Sequence, residues 1–406
     1  MTTTAPGTRQ GGVPAPPRGG STPDAATAYA VMRERVPELT VDLDAWTRRM
    51  MRWHFSPETG SPFWVSRRDA LGFDPLRDVD GFAALRLFGL FDKTGLRTAR
   101  ARDLIPRGYR DRPFRVFETG GTTGTPCRIV NVTRLAHDVE MYRTMLEARG
   151  VRGGDVLAMT PMGPHAYGHF VEGLADSWRG AVHCIDFDPR WVKTALRAGG
   201  EAGEYTEHLI AQTLPLLSAE RPELLFTTSR LLVELAMRLP RPLHTYGVRA
   251  VCTGGTSCTP AEAAFLREEH LTGVQWIDTY GNTLVGHALQ ADLGPGTTVP
   301  GVTAPGQDTS ADAGYGEKVT HTYHVPPPFA VLTVVDPQDP WRQVAVGERG
   351  RVRATTLLQD LFIPNLLERD SAVRTGPHPW FPWDGVAAVR PYDGDAAEEE
   401  ATEGVY

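Results

Sequence analysis

Apolar positions along the chain fall into three successive regimes. From residue 26 to 73 they recur at three- and four-residue steps (Tyr29, Met32, Val36, then Leu43, Trp46, Met50, Met51, Trp53), a spacing that predicts helices. A further short helix is predicted over 81–90. From 133 to 280, short apolar runs alternate with helical patterns. Strands are predicted at 155–159, 181–187, 223–227, 248–252 and 274–280, and helices at 133–148, 168–177, 206–218, 230–238 and 260–268. Such alternation predicts an α/β fold with a mostly parallel sheet flanked by helices. Beyond residue 316 the pattern becomes that of antiparallel strands, at 319–324, 329–335 and 350–357, so a small antiparallel part is expected near the C-terminus.

Polar stretches mark the edges of this body. Residues 1–25 are rich in Thr, Pro and Gly and read as a disordered tail. Residues 294–316 have a similar composition and read as a long surface loop. The segment 389–406 reads as an acidic tail, which leaves one large domain over 26–388. No apolar run approaches membrane-spanning length and no secretory leader pattern opens the chain, so a cytoplasmic protein without membrane contact is expected. A net charge of −7 over 406 residues offers no basic face for nucleic acid. Four cysteines without CxxC spacing signal neither zinc nor a disulfide framework. Basic charge is almost entirely arginine; the lysines are Lys93, Lys193 and Lys318.

Four stretches carry candidate chemistry. Thr119-Gly120-Gly121-Thr122-Thr123-Gly124-Thr125 lies between apolar flanks, with glycines to turn the backbone N–H groups inward and threonines to add hydroxyl donors. This combination suits phosphate oxygens, although the spacing is not that of a Walker A loop. Gly254-Gly255-Thr256 ends a predicted strand, where a ligand can approach bare backbone. Tyr280-Gly281-Asn282-Thr283 ends the next strand, and Glu368-Arg369-Asp370 offers a carboxylate suited to vicinal hydroxyls. Each also fits a structural role: a hairpin, a tight turn, a core tyrosine, an exposed acid–base pair. His165, Tyr167 and Gly168 open a helix in a segment placed to meet a small substrate, and Arg190 and Lys193 are expected at the surface.

Taken together and in this order, the stretches resemble the adenylate-forming superfamily of acyl-CoA synthetases, adenylation domains and luciferases. The loop 120–126 is similar to its SSGTTGKP phosphate loop, 280–283 to its YGxTE segment, and 368–370 to a shortened RYxTGD segment. The resemblance implies an ATP site in which Thr122, Thr123 and Thr283 act on the phosphates. Gly120, Gly121, Gly124, Gly254, Gly255, Thr256, Tyr280, Gly281 and Asn282 would line the nucleotide, and Asp370 would hold the ribose. His165, Tyr167 and Gly168 would border an acid substrate.

Two departures stand out. Leu284 replaces the glutamate that helps hold Mg²⁺ in the family, which leaves the metal ligands unknown, and Thr125 replaces the loop lysine. The resemblance covers roughly 26–388, which leaves no stretch matching the family's C-terminal lid domain with its own lysine, so a lid-less form is expected. The variant motifs look most like the phenylacetate–CoA ligase branch, in particular lid-less relatives from phenazine (griseoluteic acid) antibiotic biosynthesis. This implies an AMP-forming ligase that activates an acid, expected to be aromatic, as an acyl-adenylate and passes it to an acyl-acceptor or reductase partner. A homodimer is implied by analogy with the branch. Two other readings stay open: activation of nitrite to diazotise an arylamine, and a nucleotide-binding scaffold without catalysis.

Overall fold

The computed structural model describes residues 25–119, 125–197, 203–255, 258–292 and 321–392. The expected loop at 294–316, most of both expected tails, Lys318, residues 120–124 and Thr256 lie outside this set.

Thirteen strands are seen among the described residues. In chain order they are β1 (Arg115–Glu118), β2 (Arg128–Asn131), β3 (Val156–Thr160), β4 (Val182–Asp186), β5 (Leu224–Thr227), β6 (Ala250–Gly254), β7 (Gln275–Asn282), β8 (Gly286–Asp292), β9 (His321–His324), β10 (Ala330–Val335), β11 (Arg349–Leu357), β12 (Phe362–Thr375) and β13 (Gly385–Pro391). The first two form a hairpin, and the other eleven make one sheet in the order β4-β3-β5-β6-β7-β8-β9-β13-β12-β11-β10. Pairing is parallel from β4 to β7 and antiparallel from β7 onward. The expected α/β class, with a helix-flanked parallel sheet and a C-terminal antiparallel part, is therefore what the chain adopts.

The central parallel strands are buried at every position, as in β3, β5 and β6. Helices cover both faces of such strands, so only apolar and small residues fit them. The antiparallel strands β8, β12 and β13 lie outside the segments predicted as strands, and β13 runs to Pro391, three residues past the expected domain limit at 388. Among the described residues no helix is long and apolar enough to cross a membrane.

The N-terminal helices are fastened to the far end of the chain. In the helix Leu43–Phe55, Asp42 caps the first turn by accepting hydrogen bonds from Asp44 N and Ala45 N, both at 3.0 Å. Its buried face then reaches the turn between β11 and β12. Trp46 Nε1 donates to Leu357 O, Trp53 Nε1 donates to Gln359 O, and His54 Nε2 pairs with Leu358 O, each at 2.7 Å.

The next residue of that turn, Asp360, is 3% exposed and caps a different helix, Arg134–Ala148. Its Oδ2 accepts from Val132 N and Thr133 N at 2.7 Å and from Arg134 N at 3.2 Å. Thr133, the local cap residue, makes no capping bond of its own. A carboxylate serving three N–H donors at a helix N-terminus also meets the positive end of the helix dipole. Replacing Asp360 by alanine is expected to cost about 2–3 kcal/mol, because the donors stay buried without a partner. Urea denaturation of Asp360→Ala against the parent checks this.

A candidate nucleotide cleft at the strand ends

The carboxyl ends of β6 and β7 open into a cleft of about 370 Å³. Such a position, beyond the ends of parallel strands, is where open α/β sheets receive ligands. Of the residues singled out in the sequence, His165, Tyr167, Gly254, Gly255, Gly281, Asn282 and Thr283 line this cleft. Thr119 and Thr125, which flank the glycine-threonine stretch, line it too. The stretch itself, Gly120, Gly121, Thr122, Thr123 and Gly124, and Thr256, lie outside the described residues.

The approach to that stretch is held firmly. Thr119 N donates to Cys127 O, and Cys127 N donates to Thr119 Oγ1, both at 3.0 Å, so the hairpin closes there. Glu118 accepts from Arg128 Nε at 3.0 Å and from Arg190 Nη1 at 2.9 Å, and Arg190 Nη2 also donates to Thr119 O at 3.2 Å. Burial works against the charge of Glu118, but the two arginines outweigh it and hold the carboxyl below its ordinary range. Arg190 is thus a structural clamp on the loop base rather than the surface residue expected. Lys193, also expected at the surface, is buried at 4% exposure. Both belong to the helix Pro189–Arg197, a helix absent from the predicted elements.

Gly281 is required by the backbone. Its φ is +146°, and an added Cβ would stand 1.9 Å from Gly286 O across the β7–β8 pair. The tight turn that follows is gripped by Arg134, whose Nη1 donates to Thr283 O at 2.5 Å and Nη2 to Asn282 O at 3.3 Å. Arg134 Nε stands 3.4 Å from Asp138 Oδ2, and His287 Nδ1 stands 3.6 Å from the same oxygen. Burial opposes the charge of Asp138, yet His287 and Arg134 together keep its carboxyl below the ordinary value. Arg134, Asp138 and His287 all line the cleft, and the sequence reading singled out none of them.

Two pairs of side chains bridge β7 and β12. Tyr280 Oη donates to Asp370 Oδ2 at 2.8 Å, and Asn282 Nδ2 donates to Glu368 Oε1 at 3.1 Å. Residues two apart on each strand meet residues two apart on the other, as the period of a strand dictates. Tyr280 and Asp370 therefore meet each other beside the cleft and are not among the residues lining it. Burial raises the Tyr280 hydroxyl well above its ordinary pKa, with the Asp370 and Glu368 charges adding to the effect. Glu368, 7% exposed, lines the cleft, and burial raises its carboxyl as well.

His165 stands just before the helix Ala166–Trp178 and is pushed below its ordinary value, first by burial and then by Arg190. It faces the cleft as a neutral imidazole near pH 7, able to donate one hydrogen bond. Tyr167 lies against Phe170, Phe226 and His287, with ring centroids 6.0–6.4 Å apart. Gly168 is a packing residue: a Cβ there would stand 2.1 Å from Met162 Sδ and 2.7 Å from Pro161 O. Leu284, in the place of the expected metal-holding glutamate, is buried against the cleft.

The fold occurs in a known ligase. The chain matches 2-hydroxyisobutyryl-CoA ligase in a postadenylation state with R3-HIB-AMP at a TM-score of 0.59 and 13% identity, covering 87% of this chain and 67% of that one. It matches the same ligase with 2-HIB-AMP and CoA in the thioesterification state at a TM-score of 0.56 and 15% identity, over 85% of this chain and 66% of that one. An open conformation of that ligase with 2-HIB-AMP and CoA gives 0.55 and 14% identity, over 84% and 72%. The chain thus spans about two thirds of the length of these ligases. No family model and no curated protein sequence matches it.

Proposed function

We propose that the cleft binds ATP and a small organic acid, and that the protein joins them as an acyl-adenylate with release of pyrophosphate. The observation that carries this reading is the convergence on one cleft of the two glycine-rich strand ends, 254–255 and 281–283, with both flanks of the glycine-threonine stretch. These motifs lie about 25 to 160 residues apart in the sequence, and they meet in a fold shared with ligases captured with acyl-AMP.

The donor set fits a nucleotide triphosphate. Gly254, Gly255 and Gly281 expose backbone where a base or sugar would approach, and Lys93, Arg97 and Arg369 bring positive charge into the cleft. Mg²⁺ would accompany the phosphates. Leu284 offers it nothing, since a hard cation takes oxygen ligands; Glu368, held by Asn282, is a carboxylate of the same cleft. In the reaction the carboxylate oxygen of the acid bonds to the α-phosphorus while the bond to the pyrophosphate oxygen breaks. The chain's part is positioning and charge stabilisation. Arg134 fixes the Asn282–Thr283 turn, and Asp370 and Tyr280 support the sugar end; Thr122 and Thr123, outside the described residues, are assigned to the phosphates by their place in the sequence. His165 and Tyr167 border the acid, which we take to be aromatic from the rings nearby. Transfer of the acyl group to an acceptor or reductase partner, a role in antibiotic biosynthesis, and a dimer belong to the same reading.

Pyrophosphate–ATP exchange with Mg²⁺ and a panel of aryl carboxylic acids tests it. Acid-dependent exchange is expected, with a loss of tenfold or more in Asp370→Ala and Thr123→Val. AMP formation that requires nitrite and an arylamine would replace the carboxylate by nitrite. ATP binding with neither reaction would leave a nucleotide-binding scaffold.

A further inference from the structure

We infer that Lys93, delivered from the N-terminal helical region, is the lysine that binds the phosphate chain in this cleft. The inference rests on the nucleotide reading above and names the residue that serves its anionic end. The charged residues lining the cleft, among those described, are Lys93, Arg97, Arg134, Asp138, Glu368 and Arg369. Four cations face two carboxylates, and Arg134 is already engaged with Asp138 and with two backbone carbonyls. The net positive charge of the lining favours an anion.

Lys93 is held in place from two sides. Asn365 on β12 donates from Nδ2 to Leu85 O at 2.7 Å and to Gly89 O at 3.1 Å, and its own carbonyl accepts from Phe91 N at 3.2 Å. Asn365 is 5% exposed and adopts a φ of +50°, so its amide is aimed by a backbone shape that asparagine tolerates better than most residues. On the other side, the Lys93 carbonyl accepts a weak bond from Cys127 Sγ at 3.9 Å, just beyond the glycine-threonine stretch. The irregular segment is thereby moored both to the strand that carries Glu368 and Arg369 and to the hairpin that presents the loop. Lys93 immediately precedes the helix Thr94–Thr98, and one turn further on Arg97 lines the same cleft. Its charge acts on Glu368 at the cleft wall. A flexible ammonium beside backbone donors is a common way to hold phosphate oxygens.

Calorimetry with ATP, adenosine and inorganic tripolyphosphate, on the parent protein, Lys93→Gln and Lys93→Arg, decides the matter. The expected result is a loss of about tenfold to hundredfold in affinity for ATP and tripolyphosphate in Lys93→Gln, the equivalent of one charge-assisted hydrogen bond. Adenosine affinity should be unchanged, and Lys93→Arg should recover much of the loss. Unchanged ATP affinity in Lys93→Gln overturns the assignment of Lys93 while leaving the nucleotide reading intact. An equal fall for adenosine also overturns it, since a general disturbance would then be the cause. Tripolyphosphate binding in the parent that needs Lys93, without any binding of adenosine and with ATP no tighter, keeps the anion site and removes the nucleotide reading. No binding of any of the three by the parent removes both.

Discussion

Between pH 6.5 and 4 the protein is expected to lose about 6 kcal/mol of stability, at about 3 kcal/mol from each of two buried histidines. His54 and His324 are 1% and 0% exposed, and burial pushes each imidazole from the ordinary 6.5 down to about 4. His54 lies against Phe362 with its Nε2 on Leu358 O, and His324 sits between Thr322 Oγ1 and Trp383 O. In the unfolded chain both rings take up protons near pH 6.5, whereas in the folded chain they resist until about pH 4. The unfolded state therefore binds more protons throughout that window, so stability falls as pH falls and is flat with respect to these groups above it. Set against typical stabilities of about 5–15 kcal/mol, a loss of this size is enough to unfold many domains. Urea midpoints measured at half-unit steps from pH 7.5 to 4 check the slope. His54→Gln keeps a donor for Leu358 O and removes one titration, so its profile should be flatter by about half. An equal slope in the variant would show that other groups govern the acid limit.

Removing one partner of the Arg134–Asp138 pair is expected to cost about 3–5 kcal/mol, because the other charge stays buried without compensation. Arg134 is 6% exposed and Asp138 8%, so neither can turn to solvent in place. Arg134→Met also frees the carbonyls of Asn282 and Thr283 at the cleft wall. Asp138→Ala leaves the guanidinium with the carbonyls of the turn and no carboxylate beside it. The combination Arg134→Met with Asp138→Leu removes both charges and substitutes apolar volume, and should lose clearly less than the sum of the single changes. A double-mutant cycle by chemical denaturation measures this. Additive losses would mean that the two groups act separately.

The parts of the fold that could be read from sequence are those where local pattern and tertiary role agree. The strands β3, β5 and β6 are short apolar runs because helices bury them on both sides, and the helices between them carry the matching stripes. The turn at 280–283 was legible because glycine is needed there, at Gly281, for a reason visible in the structure. β12 was not legible. It contains Pro364, and the run Glu368-Arg369-Asp370 reads as an exposed acid–base pair when no neighbour is known. Those charges are tolerated in a strand because Asn282 and Tyr280 meet two of them and the cleft receives the third. Lys93 was equally hidden. Its place depends on Asn365, more than 270 residues away, and no local spacing announces such a mooring. The one available signal was scarcity, since a chain with three lysines gives each of them weight. Arg134 and Asp138 formed an ordinary i,i+4 pair in a predicted helix, and only the burial of both separates them from a surface pair.

The fastening of the N-terminal helix to residues 357–359 sets a timetable for synthesis. Trp46 finds its acceptor 311 residues later in the chain. At about 5–20 residues per second, that acceptor is made roughly 15–60 s after the helix itself. During this interval Trp46, Met50 and Phe55 have none of the partners that β11 and β12 supply, and the helix Arg134–Ala148 lacks its capping carboxylate. The cleft lining is completed only after Asp360, since Glu368 and Arg369 follow within ten residues of it. A chain halted before that point carries the glycine-threonine stretch and both glycine-rich strand ends, yet has no closed site in which to use them.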